Sequence, residues 1–215
     1  MDLVTSATER TTAATDAVLA IAAAGSLWLL RRATPPSFGR GVWQAALAST
    51  AVASVLGAVA HGLRLPAATR ELLWQPLYLA LGITMALFVV GAVRDWRSEA
   101  AARRVLAPML AVAVAFYVIT RLTRGSFLAF VIYEAAALVF SLAVYLGLAG
   151  QSRAGAALMA AALAVSLAAG AVQAADLGVV RLVWDFDHNG VFHLVQLVGL
   201  GLLVAGLRLR LATTE

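Results

Sequence analysis

Seven long apolar runs, separated by short segments rich in Arg, Pro and Gly, constrain this chain more than any other feature. They cover roughly residues 14–31, 42–63, 72–93, 104–121, 126–148, 154–175 and 189–210. An α-helix needs about 20 apolar residues to cross the hydrocarbon core of a bilayer, and these runs have that length. They are continuous rather than alternating, which favours helices over the strands of a membrane β-barrel. The sequence therefore predicts an all-α, polytopic membrane protein, with residues 1–215 forming a single domain of seven transmembrane helices.

The arginines between the runs predict the orientation of the chain. One side, formed by loops one, three and five and the C-terminus, carries Arg31, Arg32, Arg40, Arg94, Arg97, Arg103, Arg104, Arg153, Arg208 and Arg210. The other side carries Arg10, Arg64, Arg70, Arg121, Arg124 and Arg181. Cytoplasmic loops are enriched in basic residues. We therefore expect the N-terminus outside and the C-terminus in the cytoplasm.

The residue types that are absent exclude several classes of protein. The chain has no cysteine, so disulfides and thiolate metal sites are excluded. Its basic residues are all arginine, so no lysine is available for the Schiff base of a retinal protein. Because arginines in loops orient a membrane protein, the net charge of +5 does not indicate nucleic-acid binding. The expected partners are membrane lipids, including a lipid substrate.

Polar side chains collect at one end of the predicted bundle. With alternating helix directions, the outer ends of the runs hold His61, Gln75, Glu134, Gln173, Asp176, His188 and His193. The inner halves of the runs hold almost nothing ionisable. A charge inside a bilayer is costly unless it is paired or hydrated. The sequence therefore predicts a polar cavity that opens to the outside.

The three histidines, His61, His188 and His193, predict a metal site in this cavity. Three imidazoles and a water form an open zinc site, which generates hydroxide at neutral pH. His188 and His193 are five residues apart, about 140° around a regular helix, so both cannot share one face. This difficulty is removed if Asp187 or Asn189 caps the helix and His188 belongs to the preceding turn.

A zinc-dependent hydrolase of a lipid amide or ester is the leading hypothesis for function. Asp187 or Glu134 would be the catalytic base, because a carboxylate in a poorly solvated cavity suits that role. Asp185 and Asn189 would support the imidazoles from behind, as metal-bound histidines commonly require. Ser54 and Gln75 are further polar candidates beside the metal.

Three alternatives use the same residues. Asp185, Asp187 and Asn189, followed by Gly190, match the start of a calcium-binding loop, although its twelfth position is Gln196 instead of glutamate. A haem with two axial histidines would use His61 and His193. A non-enzymatic receptor or scaffold would use the histidines only as a structural metal site or in hydrogen bonds between helices.

Two segments resemble the CREST superfamily of seven-helix membrane proteins. They are GAVAHGL (residues 57–63) and HNGVFHLVQLVG (residues 188–199). The superfamily includes the alkaline ceramidases, the progestin and adipoQ receptors and the hemolysin III-like proteins. The resemblance implies a zinc-dependent membrane amidase and a divergent bacterial member, hence a multi-pass protein of the bacterial inner membrane.

The chain departs from the family pattern at three positions. The first histidine of the family's pair in helix seven would fall on Asn189, where His188 is the neighbour. The family's serine, four residues before the helix-two histidine, is replaced by Gly57, and the nearest serine is Ser54. The family's helix-three aspartate has no counterpart, and Glu134 is the candidate to replace its charge.

Overall fold

The computed structural model describes residues 2–123, 127–175 and 178–212, and within them the chain is all-helical apart from one short hairpin. Its elements are α1 (Ala7–Ala33), α2 (Phe38–Gly62), α3 (Ala67–Trp96), α4 (Glu99–Leu122), α5 (Phe127–Gly150), α6 (Ala156–Ala174), the antiparallel strands β1 (Val180–Arg181) and β2 (Asp185–Phe186), and α7 (His188–Ala212). All seven helices are long and apolar enough to span a membrane, as predicted, which indicates a multi-pass membrane protein. Arg124 and Asp176 lie outside the described residues.

The helices alternate in direction, so the bundle has two ends. At the histidine end, α1, α3, α5 and α7 begin and α2, α4 and α6 finish. There the amide of Val4 donates to the carbonyl oxygen of Gly62 at 3.0 Å, and Gln173 donates to Asn189 at 2.9 Å. At the opposite end, which we call the arginine end, the start of α6 lies against the last turns of α7.

Side-chain caps fix where several helices begin. The hydroxyl oxygen of Ser6 accepts from the amide of Glu9, so α1 starts seven residues before the apolar run that predicted it. The carboxylate of Asp187 accepts from the amide of Gly190 at 2.8 Å, which caps α7. The early start of α1 brings two polar turns into the bundle at the histidine end.

A buried ionic cluster at the arginine end corrects the expectation that the inner halves hold almost nothing ionisable. α3 extends to Trp96 and thereby brings Asp95 into the bundle. Its carboxylate accepts from Arg94 at 2.7 Å and from the hydroxyl of Tyr145 at 2.9 Å, and it lies 3.3 Å from Nε of Arg210. The side chain of Asp95 is fully buried, and that of Arg210 is 4% exposed. This cluster joins the ends of α3, α5 and α7.

A close crossing of α6 and α7 lies beside this cluster. Gly155 precedes α6 with a φ of +73°, in the left-handed region that favours glycine. A Cβ at Gly155 would collide with the carbonyl oxygen of Gly206. Further along the same pair of helices, a Cβ at Gly199 would lie 3.2 Å from Oγ of Ser166. Glycines therefore set the distance between α6 and α7.

Candidate site in the helix bundle

A cavity of about 400 Å³ runs from the histidine end toward the middle of the bundle. All three histidines line it, as do Glu134 and Ser54. Deeper in the bundle the wall is apolar and is formed by Leu47, Met85, Phe88, Leu138, Leu163 and Leu203. The cavity therefore has a polar end and an apolar interior, which is the usual make-up of a small-molecule site.

A stripe of polar residues on α1 holds the start of α7 in place. The hydroxyl of Thr11 donates to the carbonyl oxygen of Asp185 at 2.7 Å, and the hydroxyl of Thr12 donates to the carboxylate of Asp187 at 2.7 Å. One turn further, Oγ1 of Thr15 is hydrogen-bonded to Nδ1 of His193 at 3.0 Å. Thr15 is four positions from Thr11 and three from Thr12, so it lies one turn further along the same side of α1.

Asp16 brings a carboxylate into the cavity beside His193. Its Oδ1 lies 3.3 Å from Nε2 of His193, and both side chains are more than nine-tenths buried. A Cβ at Gly57 would lie 2.5 Å from Oδ2 of Asp16. The carboxylate thus occupies the space that a side chain on α2 would otherwise fill. Gly57 is the position at which the CREST pattern has its serine.

His61 is also bound to α1. Its Nδ1 lies 2.7 Å from the carboxylate of Glu9, and its ring packs edge-on against Trp74 with the ring centres 5.5 Å apart. The described contacts therefore join His61 and His193 separately to α1. In both rings Nδ1 has a hydrogen-bonding partner, which is the arrangement that commonly orients histidines at metal sites.

The first turn of α7 carries the other residues singled out from the sequence. Asp187 caps the helix, but His188 is its first residue, so His188 and His193 lie on one helix about 140° apart. Both still line the cavity, which is wide enough to contact two faces of α7. Asn189 lines it as well, with its Oδ1 accepting from Gln173.

The carboxylates of the predicted calcium loop have protein donors. Asp185 is paired with Arg181 at 2.9 Å, and this hydrogen bond lowers the pKa of the Asp185 carboxyl below its ordinary value. Oδ1 of Asp187 accepts from both Thr12 and Gly190. Neither residue lines the cavity. Calcium binding at this turn would need these donors to be displaced.

Glu134 has a different environment from the other carboxylates. It is 7% exposed and lines the cavity, where its Oε2 lies 3.4 Å from the position of a Cβ on Gly170. Among the described residues it has no hydrogen-bonding or ion-pair partner. Ser54 is 5% exposed in the same cavity, whereas Gln75 lies outside it and donates to the carbonyl oxygen of Glu71. A buried carboxylate without a partner is unusual and points to a ligand.

The histidines and carboxylates do not form a ready metal site. In the part of the chain that the structure describes, no three His, Asp or Glu side chains are grouped closely enough to hold a metal ion. The residue types suit zinc, but in the described part of the chain they are not grouped closely enough to hold it. Zinc and calcium therefore remain predictions from the sequence.

Sequence reasoning missed Glu9 and Asp16, which supply the partners of His61 and His193. The signal was present, because Thr8, Thr11, Thr12, Thr15 and Asp16 recur with helical spacing at the start of α1. The prediction was based on the histidines and on the apolar run, and this polar face of α1 belongs to neither.

The fold and the cavity define the class of protein: a multi-pass membrane protein of seven helices, with an amphipathic cavity at one end of its bundle. More specifically, the chain belongs to DUF6962, a family of unknown function, whose model matches residues 11–212. No curated protein and no solved structure matches the chain.

Proposed function

We propose that this protein binds an amphipathic lipid in the cavity, with the apolar chain in the interior and the polar group at the histidine end. The observation that carries the proposal is the shape and lining of the cavity, whose volume of about 400 Å³ lies within the range of ligand sites. In this proposal His61 and His193 act through hydrogen bonds, as in a receptor or binding protein. The chain lies in the bacterial inner membrane with its N-terminus outside, so the ligand enters from the outer leaflet.

Filling the cavity tests the proposal. Thr50 lines the cavity, whereas Val52 on the same helix is 52% exposed on the outer surface. We expect Thr50→Phe to weaken lipid binding at least tenfold, equivalent to about 1.4 kcal/mol, because the ring occupies the ligand's volume. The measurement is native mass spectrometry of the protein released from nanodiscs.

Val52→Phe is the matched control, since it adds the same ring outside the cavity and should retain the lipid. Both variants must elute at the wild-type volume in gel filtration. Equal retention of lipid by Thr50→Phe and the wild type would contradict the proposal.

A zinc-dependent hydrolase of a lipid amide or ester is the second candidate. It is favoured by one observation: all three histidines of the chain, together with Glu134, line a single cavity. It also agrees with the resemblance to the CREST superfamily. In this chain the carboxylate of Asp16 would take the place of the family's serine on helix two. The described donors are not grouped closely enough to hold zinc, so binding would need them to move closer together.

Metal content distinguishes the two candidates. If the hydrolase proposal is right, the protein purified without chelators contains about one zinc per chain by elemental mass spectrometry, as for an open three-histidine site. His193→Ala should then lose the zinc while eluting normally in gel filtration. A wild-type protein free of zinc would contradict the hydrolase. Iron or calcium would instead support the haem or the calcium alternative.

A further inference from the structure

Two buried carboxyl groups stand out in the lining of the cavity. Asp16 and Glu134 line it and are 5% and 7% exposed. Among the described lining residues there is no arginine, and the chain has no lysine. Among the described lining residues, the three imidazoles are therefore the only side chains able to carry a positive charge. Asp16 has one of them, His193, at 3.3 Å, whereas Glu134 has no such partner in the described part of the chain.

Other acceptor atoms face the same region. Gln173 and Gln196 line the cavity, and in each the buried Oε1 has no donor among the described residues. Ser166 also lines the cavity, on α6 next to Gly199 of α7. A buried acceptor without a donor costs free energy, as does a buried charge without a counter-charge. Both costs are removed by a ligand group that donates several hydrogen bonds and is positively charged.

We infer that the polar group of the ligand is an ammonium, and that Glu134 is its counter-ion. This inference rests on the proposed lipid-binding function and names the class of lipid: a single-chain amine with a long alkyl tail. An aminophospholipid also carries an ammonium, but it brings a phosphate. A phosphate would lie among carboxylates, and the described lining residues include no arginine or lysine to neutralise it, so the single-chain amine is favoured.

The position of Glu134 agrees with this assignment. It lies seven residues into α5, about 10 Å along the helix axis from the histidine end at 1.5 Å per residue. The leucines of the interior begin beyond it, with Leu138 one turn deeper on the same helix. An ammonium at Glu134 therefore leaves its alkyl chain to extend into the apolar part of the cavity.

Binding of matched single-chain ligands to the full-length protein in nanodiscs tests the inference. Hexadecylamine, hexadecanol and hexadecanoate share one chain and differ in their polar group. We expect the wild type to bind the amine at least tenfold more tightly than the alcohol, and the carboxylate most weakly, by native mass spectrometry. Glu134→Gln should remove the preference for the amine, so that the amine and the alcohol bind with equal affinity.

Glu99→Gln is the control for loss of a carboxylate, because Glu99 lies exposed at the arginine end. It should keep the wild-type preference. Equal binding of amine and alcohol, both blocked by Thr50→Phe, would overturn the ammonium assignment and leave the lipid-binding function intact. Failure of Thr50→Phe to affect any of the ligands would overturn the lipid-binding function itself. Tighter binding of a lysophosphatidylethanolamine, which has one chain and a phosphate, than of hexadecylamine would overturn the assignment of an amine without a phosphate.

Discussion

Asp95→Asn is expected to destabilise the protein more than any other change of a single charged residue described above. The substitution removes the negative charge that lies 3.3 Å from Nε of Arg210 at the arginine end, where the Arg210 side chain is only 4% exposed. Removing one partner of a buried ion pair costs about 3–5 kcal/mol. Thermal unfolding of the detergent-solubilised protein measures the loss as a lower midpoint.

Two further variants separate the cause from a general loss of packing. Glu99→Gln removes an exposed pair with Arg103, which contributes less than about 1 kcal/mol. Asp95→Asn combined with Arg210→Met removes the buried guanidinium as well, so it should be more stable than Asp95→Asn alone. If Asp95→Asn yields no folded protein, Tyr145→Phe removes one hydrogen bond to the same carboxylate, with an expected cost of about 1 kcal/mol. An unfolding midpoint of Asp95→Asn equal to that of Glu99→Gln would show that the cluster contributes nothing to stability.

Gly155→Ala is expected to prevent the normal approach of α6 to α7. The added methyl group meets the carbonyl oxygen of Gly206 in the backbone, which cannot rotate away as a side chain would. The left-handed φ adds a further strain of roughly 1–2 kcal/mol for a residue with a Cβ. We expect a sharp fall in the yield of monodisperse protein and a lower unfolding midpoint, measured by gel filtration and thermal unfolding.

Gly178→Ala is a closely matched comparison. Gly178 also has a positive φ, +65°, but nothing lies within 4 Å of its added Cβ. This variant therefore experiences the backbone strain without the collision, and it should remain close to the wild type. Equal effects of Gly155→Ala and Gly178→Ala would show that strain alone matters and that the close crossing does not.

The helices were predictable because each apolar run is long enough to specify its own secondary structure. The alternation of direction then follows from short loops, and it correctly brings His61, His188 and His193 to the same end. The ends of the helices were less predictable. α1 begins at a serine cap well before its apolar run, and α3 continues past its run to include Asp95. The length of an apolar run does not show how far a helix continues into the polar residues on either side of it.

The partners within the site could not be read from the sequence for a related reason. Asp16 and His193 are 177 positions apart, and only the packing of α1 against α7 brings them together. The absence of a side chain at Gly57 makes sense once the carboxylate of Asp16 is seen in that space. The family pattern has its serine and its aspartate on helices two and three, whereas this carboxylate lies on α1.

The pairing of α1 with α7 also has a consequence for biosynthesis. α1 is the earliest of the seven helices to leave the ribosome and α7 the latest, yet Thr12, Thr15 and Asp16 have side-chain partners on or just before α7. The cavity therefore cannot be completed before α7 has been synthesised. A product that stops short of α7 lacks His193, whose imidazole lies beside Asp16. The cavity is therefore completed only when the seventh helix packs against the first.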